Sequence, residues 1–153
     1  MTVQLSRKET MLLQDQKKHE EVCVAKYNTY AKQAQDPNLK QLFSNYAQQE
    51  QQHLETINQI LAGHVPQVTQ NSGQGQQILG KNLKGANNSH DAGLCSDMLM
   101  TEKYISNTYD TAIFETRDSN IRQVLNHIQK EEQEHGEGIF NYMKNSGMYE
   151  TDN

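Results

Sequence analysis

The chain has 153 residues, a net charge of −5 and a hydrophobic content of 34%. That size suits one domain spanning residues 1–153, and the acidic balance argues against nucleic acid as a partner, because phosphate backbones are repelled. No apolar run approaches the ~20 residues that a membrane span needs, so no membrane partner is expected. The opening stretch, MTVQLSRKETMLL, holds no continuous apolar signal-peptide core, and synthesis in the cytosol is the expectation. Cys23 and Cys95 stand far apart, outside any Cys-x-x-Cys spacing. They offer no disulfide framework, zinc knuckle or rubredoxin-type iron site, and read as small buried side chains.

The first predicted helix runs from about Lys8 to Ala34. Ser6 and Glu9 have the spacing of a capping box, and the inward face is Leu13, Gln16, Glu20, Cys23, Tyr27, Ala31 and Ala34. Asp36-Pro37 ends that helix and starts the second, with aspartate as N-cap and proline at the first helical position. The second helix reaches about Leu61. Its apolar stripe of Leu39, Leu42, Phe43, Tyr46, Leu54, Ile57 and Leu61 passes through Glu50 and His53. Residues 62–93 are rich in Gly, Asn, Gln and Ser and read as a long crossover connection, with a short helical turn near Gln77–Leu79. A third helix begins near Leu94 and runs to about Thr116, with Cys95, Met98, Glu102, Ile105, Tyr109, Ala112 and Ile113 inward. Asp118-Ser119 breaks and caps again. The fourth helix, about Asn120 to Asn145, buries Ile121, Val124, Leu125, Ile128, Glu132, His135, Ile139, Tyr142 and Met143, and Gly147 stops it.

The two halves repeat. Sliding the first by 82 positions lays Asp15 on Asp97, Glu20 on Glu102, Tyr27 on Tyr109, Asp36 on Asp118, Glu50 on Glu132 and His53 on His135, without a gap. Such self-similarity dictates architecture. Here it gives two helical hairpins on one plan. In an antiparallel hairpin, residues equidistant from the turn lie side by side, so Glu20 comes level with Glu50 and His53, and Glu102 with Glu132 and His135. If the hairpins pack about a two-fold axis across the bundle, the chain must return along its full length, ~35–40 Å for a helix of this size. The long connection then has its reason, and the fold is an all-α four-helix bundle: two repeated hairpins joined by a long crossover.

Glu20, Glu50, His53, Glu102, Glu132 and His135 therefore converge at mid-bundle. Four buried carboxylates need compensation, and two divalent cations would bring the charge to zero. Carboxylate oxygens with imidazole nitrogens suit iron or manganese, and less strictly zinc. One Glu-x-x-His on a polar helix is a weak signal. Two copies at matched repeat positions, each level with another glutamate, are a strong one. Glu21 pairs with Lys103 in the repeat and points off the stripe. Glu131 and Glu134 also fall off-stripe and read as a solvated face, His19 as surface, and His64, His90 and His127 as loop or surface residues. Tyr27, Tyr46, Tyr109 and Tyr142 lie on or near core faces and read as packing aromatics with satisfied hydroxyls, while the matched pair Tyr27 and Tyr109, two turns from the glutamates, suits packing or support of the ligands equally well.

The ligand constellation and the repeat resemble the ferritin-like superfamily, which includes rubrerythrins and ferritins. More specifically, the stretches beginning LLQDQKKHEEVCVAKYNTYAKQ and LCSDMLMTEKYISNTYDTAIFE, with the closing YMKNSGMY, resemble the Coat F family of spore coat proteins. That resemblance implies a ferritin-like fold and a structural component of the bacterial endospore coat, made in the mother-cell cytoplasm and then placed in the coat beside other spore coat proteins. The superfamily likeness alone implies a homo-oligomer, a dimer. The alternative it offers is a di-iron or di-manganese oxidoreductase, scavenging peroxide or oxygen or oxidising Fe(II). Against a rubrerythrin-like peroxidase, the chain has no cysteine-ligated iron domain, and Ile105 stands where an extra carboxylate would be needed.

Overall fold

A computed structural model describes residues 2–68 and 82–151. It is all-helical: α1 (Arg7–Gln33), α2 (Pro37–Leu61), α3 (Ser89–Glu115) and α4 (Ser119–Asn145). Among the described residues the only extended pairing is an isolated antiparallel bridge between Thr2 and His64. The expected turn of helix near Gln77–Leu79 lies outside the described residues.

The helix ends form for the local reasons read from the sequence. Ser6 and Glu9 make a reciprocal capping box on α1, and Asp36 caps α2 with Pro37 in its first turn. Asp118 accepts from the Asn120 and Ile121 amides at the start of α4. At its far end Gly147 takes φ +75°, the left-handed geometry that closes a helix at little cost to glycine.

One boundary differs. Helix α3 begins five residues before the expected Leu94, because the Asn88 side chain accepts from the His90 and Asp91 amides. The connection is correspondingly shorter. Gly93 lies within the first turns of α3 and is exposed, so it weakens the helix without ending it.

The contacts fix the topology. Val3 donates its amide to the Gly63 carbonyl, so α2 ends beside the start of α1. Asp91 accepts from the Gln35 and Asp36 amides, so α3 starts at the opposite end, on the α1–α2 turn. Lys8–Glu115 at 2.9 Å and the Arg117 amide on Glu9 bring the end of α3 back to the start of α1. Thus α1 and α3 are antiparallel, and the end of α2 and the start of α3 lie at opposite ends of the bundle.

The two hairpins exchange ends. Glu9 and Asp91 stand 82 positions apart, and each is a buried acid accepting from the backbone of the other hairpin's turn. The apolar core divides in the same way. One cluster holds Leu39, Leu42, Phe43 and Tyr46, and the other their repeat mates Ile121, Val124, Leu125 and Ile128. Between these two cores lies a polar layer.

Candidate metal centre

All six sequence-predicted ligands lie in that layer, and none is more than 3% exposed. Each comes from mid-helix, where the backbone is fully paired within the helix and the side chain has no local escape to solvent. They form two overlapping groups, Glu20–Glu50–His53–Glu132 and Glu50–Glu102–Glu132–His135. In each group one ligand atom per residue lies within 4.8 Å of all the others. Glu50 and Glu132 belong to both groups, so the pair that the repeat superposes sits between the two positions.

Both imidazoles turn Nδ1 inward. His53 Nδ1 is 2.9 Å from Glu50 Oε1, 2.7 Å from Glu132 Oε1 and 3.9 Å from Glu20 Oε2. His135 Nδ1 is 3.3 Å from Glu50 Oε1 and 3.4 Å from Glu102 Oε1. The rings face each other at 5.9 Å with planes 22° apart, and Tyr46 stacks on His135 at 4.2 Å.

Protonation follows from this crowding. Burial and the neighbouring Glu50 carboxylate hold the Glu20 carboxyl well above its usual range. Burial and Glu102 do the same to Glu132. Burial also opposes ionisation of Glu50, but Glu132, His135 and His53 outweigh it and keep its carboxyl well below the usual range. Burial would lower both imidazoles. Instead Glu131, Glu50 and Glu20 hold His53 well above its ordinary value, and Glu102 and Glu50 push His135 up to about 9. The metal-free centre thus balances its carboxylates with protons.

That balance is incomplete. Oε2 of Glu20, Glu50, Glu102 and Glu132, and Nδ1 of His135, are buried without a hydrogen-bond partner. A buried polar atom without a partner is costly. At least one such oxygen on each of four glutamates, and both on Glu132, beside an inward nitrogen, form a donor set that two hard or borderline divalent cations would satisfy.

The structure adds partners to residues that read from sequence as packing or surface. Tyr27 donates to Glu102 at 2.7 Å and Tyr109 to Glu20 at 2.5 Å, so each matched tyrosine holds the other hairpin's glutamate. Glu131 is not on a solvated face. Its side chain is 12% exposed and accepts from His53 Nε2 at 3.0 Å, because α4 packs across α2 at this level. On the other side Gln49 accepts from His135 Nε2 at 2.6 Å. Gln49 and Glu131 are repeat mates directly preceding Glu50 and Glu132, and that pairing was the available signal. Hydrogen bonds of this kind fix the imidazole that presents its other nitrogen to a metal.

The remaining candidates separate clearly. His127 is half-buried, with Nε2 3.2 Å from Glu131 one helical turn further on. His19 is likewise half-buried, 3.0 Å from Gln16. Glu21 is exposed, Glu134 lies 3.9 Å from Lys130, and His90 is exposed with Nε2 on the Gln33 carbonyl. Both cysteines are buried and free. Burial and the Glu50 carboxylate push the Cys23 thiol far up, which keeps it protonated.

No helix among the described residues is long and apolar enough to cross a membrane. No curated protein and no solved structure matches the chain. A family model, the Coat F domain, matches residues 90–152, the span of α3 and α4 and the chain just beyond them.

Proposed function

We propose that the chain is a structural component of the bacterial endospore coat, of the Coat F type, built as a ferritin-like bundle around a di-metal centre. The observation that carries the coat assignment is the Coat F match over residues 90–152. The hairpin it covers holds Glu102, Glu132 and His135, and the other hairpin repeats it at 82 positions. Assembly with other coat proteins, or with further copies of the chain, is supported by Met11, Val22, Met100, Tyr104 and Phe114. These large apolar side chains are all more than half exposed, and all lie on α1 or α3.

At the centre, Glu20, His53 and the shared Glu50 and Glu132 would hold one ion, and Glu102, His135 and the same shared pair the other. Iron and manganese suit the donors best, with zinc next. When bound, such ions cross-link all four helices and can supply Lewis-acid or redox chemistry. The chain's own residues orient the site. Tyr27 and Tyr109 fix two carboxylates, while Glu131 and Gln49 fix the two imidazoles. The family match favours structural use of the metal over turnover.

Two experiments test the reading. Antibody detection in coat extracts of purified spores should find the protein, and deletion should alter coat layering or resistance. Absence from the coat, with normal spores, overturns the coat assignment. Mass spectrometry of untagged protein should find about two metals per chain, lost in His53→Ala and His135→Ala. No uptake after reconstitution with iron, manganese or zinc overturns the metal centre.

A further inference from the structure

A cleft of about 530 Å³ opens between α3 and α4. Leu99, Phe140 and Tyr149 form its walls, and Glu102 and Glu132 lie among its lining residues. Those glutamates are at most 2% exposed, and the Oε2 atom of each has no hydrogen-bond partner. The cleft therefore leads to unsatisfied oxygens of the centre. Its other charged lining groups are Glu137 and Lys103, so acidic side chains outnumber basic ones in the lining and a cation is the favoured entrant.

Gly136 sets the opening. A glycine in the interior of α4 weakens the helix. Its φ is not positive, so the backbone gives no reason for it. Its repeat mate in the first hairpin is Leu54. A Cβ added at Gly136 would meet only Leu99 Cδ1, at 3.7 Å, which is ordinary contact. The repeat thus has a leucine on one side of the centre and no side chain on the other.

We infer that the α3–α4 cleft is the port by which a divalent cation reaches the centre, and that Gly136 keeps it open. This rests on the metal centre proposed above. The test is the rate of Co(II) uptake by metal-free protein, followed by absorbance, with final stoichiometry and Tm measured alongside. Gly136→Leu, which restores the residue of the first hairpin, should slow uptake at least ten-fold. Final stoichiometry should stay unchanged and Tm should not fall. Ser106→Leu narrows the same cleft from α3 and should slow uptake too. Gly136→Ala adds only the tolerated Cβ and should load at the wild-type rate. Uptake at the wild-type rate in both leucine variants overturns the port while leaving the metal centre standing. No Co(II) uptake by the wild type overturns both.

Discussion

Loading the centre should be an exchange of metal for protons. The centre proposed above would take four positive charges, on two divalent cations, into a layer flanked by two apolar cores. Without metal, the surrounding carboxylates outweigh burial and raise both His53 and His135 above their ordinary values. Burial and like charge raise the Glu20 and Glu132 carboxyls well above their ordinary range. Charge balance then requires about four protons released per chain, or about two per cation. Apparent affinity should rise up to ~100-fold per pH unit while two protons leave per cation. Titration calorimetry in buffers of different ionisation enthalpy counts the protons directly. Release of fewer than about one proton per cation at pH 7, or an affinity flat between about pH 6 and 8, would refute this protonation pattern.

The same groups govern stability without metal. Histidines whose values are raised from 6.5 contribute stability that is complete below that pH and lost as pH climbs through about 9 for His135. The raised carboxyls of Glu20 and Glu132 act the same way, subtracting stability once pH exceeds their ordinary 4.5. The Tm of metal-free protein should therefore fall from pH 6.5 towards 9, and scanning calorimetry checks it. Metal at about 100 times its Kd should add about 2.7 kcal/mol per site, roughly 5–10 °C for a chain of this length. Tyr27→Phe and Tyr109→Phe each strip a buried carboxylate of its donor and should cost about 1.5–3 kcal/mol in urea unfolding. Asp91→Ala orphans two backbone amides at the α1–α2 turn and should cost about 2–4 kcal/mol. Leu42→Ala and Leu125→Ala empty opposite cores, at about 3 kcal/mol each, and the double variant should equal their sum within about 0.5 kcal/mol.

The sequence made the helices and the six inward polar residues legible because both are periodic signals. Glu50 and His53 interrupt a stripe that runs from Leu39 to Ile60, and their mates do the same from Ile121 to Tyr142. The start of α3 was hidden because its cap is Asn88 within a run of Gly, Asn and Ser that resembles loop throughout. What holds that helix end is Asp91 binding the Gln35 and Asp36 amides, a contact between residues more than fifty apart. Glu131 was misplaced for a related reason. Helical periodicity gives the face a residue occupies on its own helix, and α2 supplies the partner that covers it.

The departures from the repeat carry as much meaning as the matches. At the proposed ligands and at the tyrosines that hold them, the halves are identical, as two equivalent metal positions would require. One step outward they diverge. The outer nitrogen of His53 meets a carboxylate, Glu131, and that of His135 meets a neutral amide, Gln49. A carboxylate makes the imidazole it binds a stronger donor to metal. The approach diverges too, with Leu54 on one hairpin and Gly136 lining the cleft on the other. The two proposed positions would thus be alike in ligands but unlike in donor strength and in access. The open side leads to the shared Glu132 and to Glu102, which belongs to the His135 group alone, the group whose imidazole has the weaker support. Filling should therefore be ordered: a cation entering by the cleft meets the His135 position first, and the His53 position, buttressed by Glu131, holds its ion more tightly.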